Sequence, residues 1–286
     1  MMGFALGVGS ALCWAALDVV RKALVLKASP VALVVFLLVG QVPFLALWAV
    51  WEGTWITDAA YWPFALSSMA MNALANVLFM RSVQLSPLSR TVPFLSFTPV
   101  FSALAAMPLL GEVPGPMHWS GIALVVLGAL VLNSDLSDSW WRSLAFEKGG
   151  PYMIAVAALW ALSTALDKRA LPHASPASHA FVLAAGGAVI LVSWILSRRS
   201  HGELRAVFGA PRGLLVGLVG FAVAALALQL LALQVLWVAV LETLKRAFGV
   251  LGSVVLGRVF FLEPITGRKL VAGALMVAGT SLLAFA

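Results

Sequence analysis

In the stretch LETLKRAFG, Glu242 precedes Lys245 by three residues and Arg246 by four. On a helix that spacing puts an acid and two bases on one face, within reach of one another. A second acid, Asp18, stands before Arg21 and Lys22 at the same two spacings. Each set admits two kinds of chemistry. A carboxylate held by its own base is a local ion pair, whereas one turned toward enclosed water takes up a proton or holds a cation. Asn72 and Asn76, four residues apart, share a helical face and also have two readings. They either bond a neighbouring helix or present their amides to a carboxylate or an ammonium.

The surroundings of these residues decide how much they matter. The chain has 286 residues, 62% hydrophobic and 10% charged, with a mean hydropathy of +1.03. A soluble domain carries about 25% charged residues, so this sequence cannot make a watery surface and belongs in a membrane. Apolar runs of roughly 18 residues or more, divided by short polar or Pro/Gly punctuation, read as membrane-spanning helices. Ten are predicted, at about 3–25, 30–51, 61–82, 90–110, 116–133, 150–171, 176–197, 211–233, 238–261 and 266–285. The longest connections, 134–149 and 198–210, are too short for a domain outside the membrane. The start, MMGFALGVGSALCW, has no basic region before its apolar run, so no cleaved signal peptide is expected. Cys13 is the single cysteine, which excludes an internal disulfide and a thiolate metal site. His118, His173, His179 and His201 lie in or near connections without metal-ligand spacing, so neither a metal nor a cofactor is expected. The net charge of +7 comes with no basic run or basic–aromatic platform, so lipid headgroups rather than nucleic acid are its partners.

Within a span, an ionised side chain costs roughly 2.5–3.5 kcal/mol on insertion scales, so each one needs an account. Asp18 and Glu242 read as the deep acids. Each is either a local ion pair, with Arg21 and Lys22 or with Lys245 and Arg246, or a titrating group coupled to transport. Interhelical bonds between polar side chains average only about 0.6 kcal/mol in membranes, which leaves Asn72 and Asn76 open to cavity lining. Gln229 and Gln234 read as interfacial. Trp48, Trp51, Trp55, Trp62, Trp140 and Trp141 stand at span ends, where aromatic belts form. Trp14 and Trp160 instead fall near mid-span, as an apolar wall or gate or as core packing. Pro93 and Pro99 interrupt the fourth span and free backbone carbonyls, as a hinge or a polar lining beside Thr91, Ser96 and Thr98.

The chain also repeats itself. WAALDVVRKALVLKASP (14–30) and WALSTALDKRALPHASP (160–176) agree at Trp14/Trp160, Ala15/Ala161, Lys22/Lys168, Ala28/Ala174, Ser29/Ser175 and Pro30/Pro176. GIALVVLGALVL (121–132) likewise matches AGALMVAGTSLL (272–283), Gly128 facing Gly279. Each half, 1–140 and 150–286, then holds five spans. An odd number of crossings turns the second half upside down relative to the first. Inverted repeats around a midplane site are a mark of secondary transporters. In that register Thr164 answers Asp18, so a site at Asp18 would be asymmetric.

The segment TVPFLSFTPVFSALAAMPLLGEVPGPMHWSGIALVVLGALVL (91–132) resembles the repeat unit of the drug/metabolite transporter superfamily, EamA type. Pro99-Val100-Phe101, Gly111-Glu112 and the Gly-punctuated span that follows carry the likeness. FFLEPITGRKLVAGALMVAGTSLL (260–283) gives a second copy, with Glu263 at the place of Glu112 and Leu262 in place of the glycine. The resemblance is greatest to the YddG-type ten-helix amino-acid exporters. It implies an all-α protein of ten helices in two inverted five-helix repeats around a central cavity. It implies a multi-pass inner-membrane protein, monomeric, that exports amino acids or similar small metabolites by alternating access. A broad-specificity drug/metabolite permease is the alternative. A membrane-embedded transferase would want clustered His, Asp or Cys near one interface, a channel would want a continuous polar stripe, and no Walker A motif is present. With Asp18 and Glu242 as the deep acids, Asn72 and Asn76 would hold the polar end of a zwitterion by hydrogen bonds and Trp14 and Trp160 its apolar body.

Orientation has two expectations. Of the 18 Lys and Arg, all but Lys168, Arg169, Lys245 and Arg246 lie nearest odd-numbered connections. The positive-inside rule puts those connections in the cytoplasm and both termini outside, whereas the resemblance implies termini inside. A reporter active only in the cytoplasm, fused to Ala286, separates them: silence follows the charge count, activity the resemblance.

Overall fold

The computed structural model describes residues 2–25, 30–54, 56–86, 91–133, 148–197, 207–261 and 266–286. The motif positions Leu262 and Glu263 lie outside them, as do Trp55, Trp140, Trp141, His201, Lys27, Arg90, Arg142, Arg198, Arg199 and Arg205. The side chains of Lys22, Pro93 and Arg258 lie outside as well.

Among the described residues all regular structure is helical, and ten α-helices follow one another. They are α1 (Met2–Val25), α2 (Pro30–Glu52), α3 (Tyr61–Leu85), α4 (Thr98–Leu110), α5 (Pro116–Asn133), α6 (Gly150–Ala170), α7 (Pro176–Ser197), α8 (Arg212–Leu233), α9 (Val238–Phe261) and α10 (Gly267–Ala284). Proline opens several of them: Pro30, Pro116 and Pro176 are first residues, where the missing N–H would have had no partner. Gly111 closes α4 with a left-handed φ of 71°, and its N–H returns to the Met107 carbonyl. The fourth span is divided. A 3₁₀ helix, Val92–Phe97, precedes α4, and Pro93 and Pro99 each sit in the first turn of their own segment. The two prolines therefore start helices rather than kink one, and Thr98 Oγ1 donates 2.6 Å to the Leu95 carbonyl across the junction.

The polarity of the molecule is inside out. Leu12, Phe44, Leu47, Trp51, Leu66 and Val216 are exposed, while Ser68, Asp167, His179, Gln229 and Glu242 are buried. Hydrocarbon is a good solvent for the first group and offers no partner to the second, so polar side chains gather between helices. Six helices have apolar windows of membrane-crossing length, at Met2–Arg21, Ala32–Glu52, Gly150–His173, Pro176–Ser197, Arg212–Leu233 and Gly267–Ala284. The other four supply much of the polar interior or its ends.

The main helix pairs are α3 with α6, α1 with α8, α4 with α6, α9 with α1, α2 with α7, and α5 with α10. Exchanging α1–α5 for α6–α10 returns the same set. The α5–α10 contact is the closest of these on small residues. A Cβ added at Gly279 would lie 2.6 Å from the Gly121 carbonyl oxygen, and one at Gly128 2.8 Å from the Ala272 carbonyl oxygen. Residue numbers rise along α5 as they fall along α10, so the two helices cross antiparallel. No side chain fits between them. Gly279→Leu must push the helices apart, an overpacking cost of about 1–3 kcal/mol. Its melting temperature in detergent should fall below that of Gly213→Leu, where a Cβ meets nothing within 4 Å. Equal melting of the two variants would contradict this crossing.

Candidate functional site

The start of α9 is fixed from two sides. Glu112, just past the end of α4, accepts the Val238 N–H at 2.8 Å with one oxygen and pairs with Lys168 Nζ of α6 at 2.5 Å with the other. Lys168 also donates to the Leu236 carbonyl at 2.5 Å. Glu112 is thus an N-terminal anchor for α9, where a carboxylate meets free amides and the positive end of the helix dipole.

One turn farther along α9 lies the central polar group. Glu242 is buried at 5% exposure and takes Lys245 at 2.7 Å and the Thr164 hydroxyl of α6 at 3.1 Å. Lys245 Nζ stands 5.7 Å above the Trp14 ring and the Arg21 guanidinium 5.8 Å from it, so Trp14 of α1 is flanked by cations. The Trp14 indole N–H donates 3.1 Å to Gln229 of α8. Arg246 reaches Thr98 at the divided fourth span with a long 3.4 Å bond, and its buried Nε has no hydrogen-bond partner among the described residues. A buried donor left open costs about 1–3 kcal/mol. Two cations and one carboxylate meet here, so the centre holds a surplus of positive charge.

A second polar run joins α3, α6 and α7. The Tyr61 hydroxyl and His179 Nδ1 are 2.8 Å apart, both side chains fully buried. His179 Nε2 lies 3.3 Å from an Asp167 oxygen, within charge attraction yet without a hydrogen bond. The Ser68 hydroxyl donates to that same oxygen and lies 2.8 Å from the Ser163 hydroxyl. Asn72 donates to Ser163 Oγ and to the Ser68 carbonyl, and Asn76 donates 2.8 Å to the Asn72 carbonyl. The run extends from the first residue of α3 to its sixteenth, about 22 Å of helix axis, with its one break in hydrogen bonding between His179 and Asp167.

Several expectations change. Of the two expected deep acids Glu242 is buried but Asp18 is not: Asp18 is exposed and pairs with Arg21 at 3.2 Å, while Asp167 and Glu112 join Glu242 in the interior. Gln229 is buried rather than interfacial and accepts from Trp14; Gln234 is exposed. His179 lies in the first turn of α7, near the connection before it, and is fully buried. Asn72 and Asn76 are half-buried on the α6 side of α3, with their amide groups engaged as described. Trp160 is half-buried and packs at a tilt on Phe79, ring centroids 6.0 Å apart. The missed acid was hidden by its sequence neighbours. Asp167 precedes Lys168 and Arg169 and so reads as an interfacial charge cluster. Ser68, Ser163 and His179, polar residues inside otherwise apolar helices, were the available signal.

Outside the membrane-spanning segments, Asp58 accepts the Ala60 N–H at 2.8 Å and lies 2.5 Å from His173 Nδ1. The Ala60 amide first and the His173 side chain second hold its carboxyl below the usual carboxylate range. With the folded value depressed, any stability from this tie is present above the ordinary carboxylate range and is lost as pH falls through the lowered value. The Glu112 anchor gives the larger effect. Glu112→Ala leaves Lys168 and the Val238 N–H without their acceptor and should destabilise the purified protein by about 3 kcal/mol, read as a lowered thermal midpoint in micelles. Glu112→Gln keeps an acceptor for Val238 and should lose less. An alanine variant that melts with the wild type would remove the anchor role.

Comparison with known proteins agrees with this architecture. A solved crystal structure superposes with a TM-score of 0.78 at 17% identity, over 99% of this chain and 96% of the other, a likeness of fold. Among curated relatives, the probable 4-amino-4-deoxy-L-arabinose-phosphoundecaprenol flippase subunit ArnE of Escherichia coli O139:H28 (strain E24377A / ETEC) is 36% identical over 69 residues. Its counterpart in Shigella boydii serotype 18 (strain CDC 3083-94 / BS512) matches equally. These matches span 62% of the relative and 24% of this chain. The EamA-like transporter family matches residues 1–134 and again 148–285. Two copies of one family pattern cover nearly the whole helical bundle, and the chain belongs to the EamA-like transporter family of membrane proteins.

Proposed function

We propose that this transporter is a secondary exporter of amino acids or similar small amphipathic metabolites, working by alternating access in the inner membrane. Its halves, 1–140 and 150–286, are read as inverted repeats. The antiparallel α5–α10 crossing and the exchange of helix pairs between halves support that reading. Repeats of opposite topology let one half rock against the other around a central site.

The observation that carries the substrate class is Arg246. Its Nε is buried without a partner, beside Lys245 and with Glu242 as the nearby acid. A carboxylate brought there would meet an unpaired donor and a positive surplus, gaining charge-assisted bonds at no cost in broken ones. Trp14, flanked by Lys245, offers an apolar face to the rest of the molecule. Asn72, Asn76 and Trp160 complete the proposed lining. Glu242 is a counter-charge to Lys245, which also leaves it available for coupling. The junction at Pro93 and Pro99, where Thr98 faces Arg246, is the proposed hinge. Similarity to the ArnE subunits favours one second reading, in which the cargo is the head of a lipid-linked amino sugar.

Purified protein in liposomes without nucleotide should move radiolabelled L-amino acids down their gradient. Arg246→Gln should cut that flux at least tenfold, about 1.4 kcal/mol or more, and Asn72→Ala several-fold, with Trp62→Ala near wild type. Strict dependence on added ATP would sink the secondary-transport reading. Full flux by Arg246→Gln would sink the carboxylate site. Flipping of a lipid-linked amino sugar without amino-acid flux would favour the second reading.

A further inference from the structure

The run through Tyr61, His179 and Asp167 has a feature that the bundle itself does not require. In the repeat register that pairs Trp14 with Trp160 and Pro30 with Pro176, Ser163 answers Leu17, Asp167 answers Arg21 and His179 answers Leu33. Leu17 and Leu33 are buried together in an apolar cluster between α1, α2 and α8. Of the related positions in the other half, Leu17 and Leu33 pack with hydrocarbon, and Arg21 turns away to the exposed Asp18. Replacing buried charged groups by packed apolar ones is often neutral or stabilising, so the polar set at α3, α6 and α7 is held at a cost. We propose that Asp167 and His179 form a proton-binding site that couples proton movement to transport, with the buried Tyr61 hydroxyl as the hydrogen-bond partner of His179 in both states.

The geometry supports one proton more or less on the pair. In the unloaded form Asp167 is ionised and held by the Ser68 hydroxyl, while Tyr61 donates to a neutral His179 at Nδ1. Uptake adds one proton to the imidazole. Nδ1–H then donates to the Tyr61 oxygen, and Nε2–H, now cationic, attracts the Asp167 oxygen 3.3 Å away. The pair passes from a net charge of −1 to 0, and no bond other than those to hydrogen is made or broken. The unbonded, fully buried Nε2 is the visible mark of a site built for two states. Of the described titratable groups on the packed elements, Glu242 of α9 bonds Thr164 and Lys245, and Arg246 reaches Thr98. Lys168 turns to Glu112, Arg169 lies over the Phe64 ring at 5.7 Å, and His173 pairs with Asp58. Ser178 of α7 donates to the Thr54 carbonyl. A buried net charge resists passage through a low-dielectric closed state far more than a neutral pair does, so loading would set which conformations the protein can cross.

This inference rests on the transport reading, and two measurements separate their failures. The first needs no cargo: infrared difference spectra of the lipid-embedded protein between about pH 8 and about pH 5, the window in which histidine titrates. The wild type should give paired imidazole and carboxylate bands that Asp167→Asn and His179→Gln lose and Glu52→Gln keeps. An unchanged spectrum in Asp167→Asn overturns the site. Should that variant fail to fold, His179→Gln carries the test, because the imidazole is the group that takes up the proton. Its spectrum must then lose the paired bands, and an unchanged spectrum overturns the site. The second uses liposomes containing a trapped pH dye and a radiolabelled L-amino-acid mixture. Label and protons should move together in wild type, and proton movement should fall at least tenfold in Asp167→Asn. Label flux without proton flux in wild type overturns the coupling and leaves the transporter reading intact. An intact infrared signal with no label flux supports the proton site and sinks the amino-acid reading.

Discussion

The bilayer interior offers no hydrogen-bond partner, and the rest of this structure follows from that constraint. Every polar side chain in a span has to be matched by another helix, by backbone or by something enclosed. Ser10 meets the Ala225 carbonyl, Thr243 and Thr280 bond back to their own helices, and Ser82 meets the Gly149 carbonyl. Among the described residues these local solutions leave a short set without a hydrogen-bond partner: Ser102 Oγ, His179 Nε2 and Arg246 Nε. Two of the three belong to ionisable groups, and both lie on the polar paths between helices.

The two halves use one packing scheme for different ends. α1 against α8 closes on leucines and alanines, with Trp14 and Gln229 as its polar link. α3 against α6 closes on Ser68, Ser163, Asn72 and Asp167. One repeated scheme of helix pairs thus carries two different polar fillings. Glu242 of α9 bonds Thr164 of α6, while Thr164's own repeat mate, Asp18, turns outward to Arg21.

Around the connections that follow α2, α4, α6 and α8 the chain is heavily tied. Lys168, Glu112, Leu236 and Val238 join one set of elements; Thr54, Ser175 and Ser178 join another. His118 stacks on Trp237 at 4.6 Å between centroids in the same region. Ion pairs and helix-end bonds of this kind can be made and broken without disturbing the apolar packing between helices.

The class and the element order were legible in the sequence, because hydropathy and helix length answer to the thickness of a membrane and need no tertiary knowledge. All ten predicted spans have a helix at their place, and the prolines at 93 and 99 marked where the fourth divides. The small-residue repeat around Gly128 and Gly279 was also visible, as a similarity whose partner helix was not. Pairing was beyond reach. Nothing in the order of residues says that Asp167 turns to His179 while its neighbour Lys168 turns to Glu112, since adjacent positions on a helix face about 100° apart. Nor does spacing alone tell that Glu242 engages both Lys245 on its own helix and Thr164 on another. Local pattern set which helices form. The crossing of those helices, fixed by glycines and by the need to satisfy each buried polar atom, decided which charges stand alone.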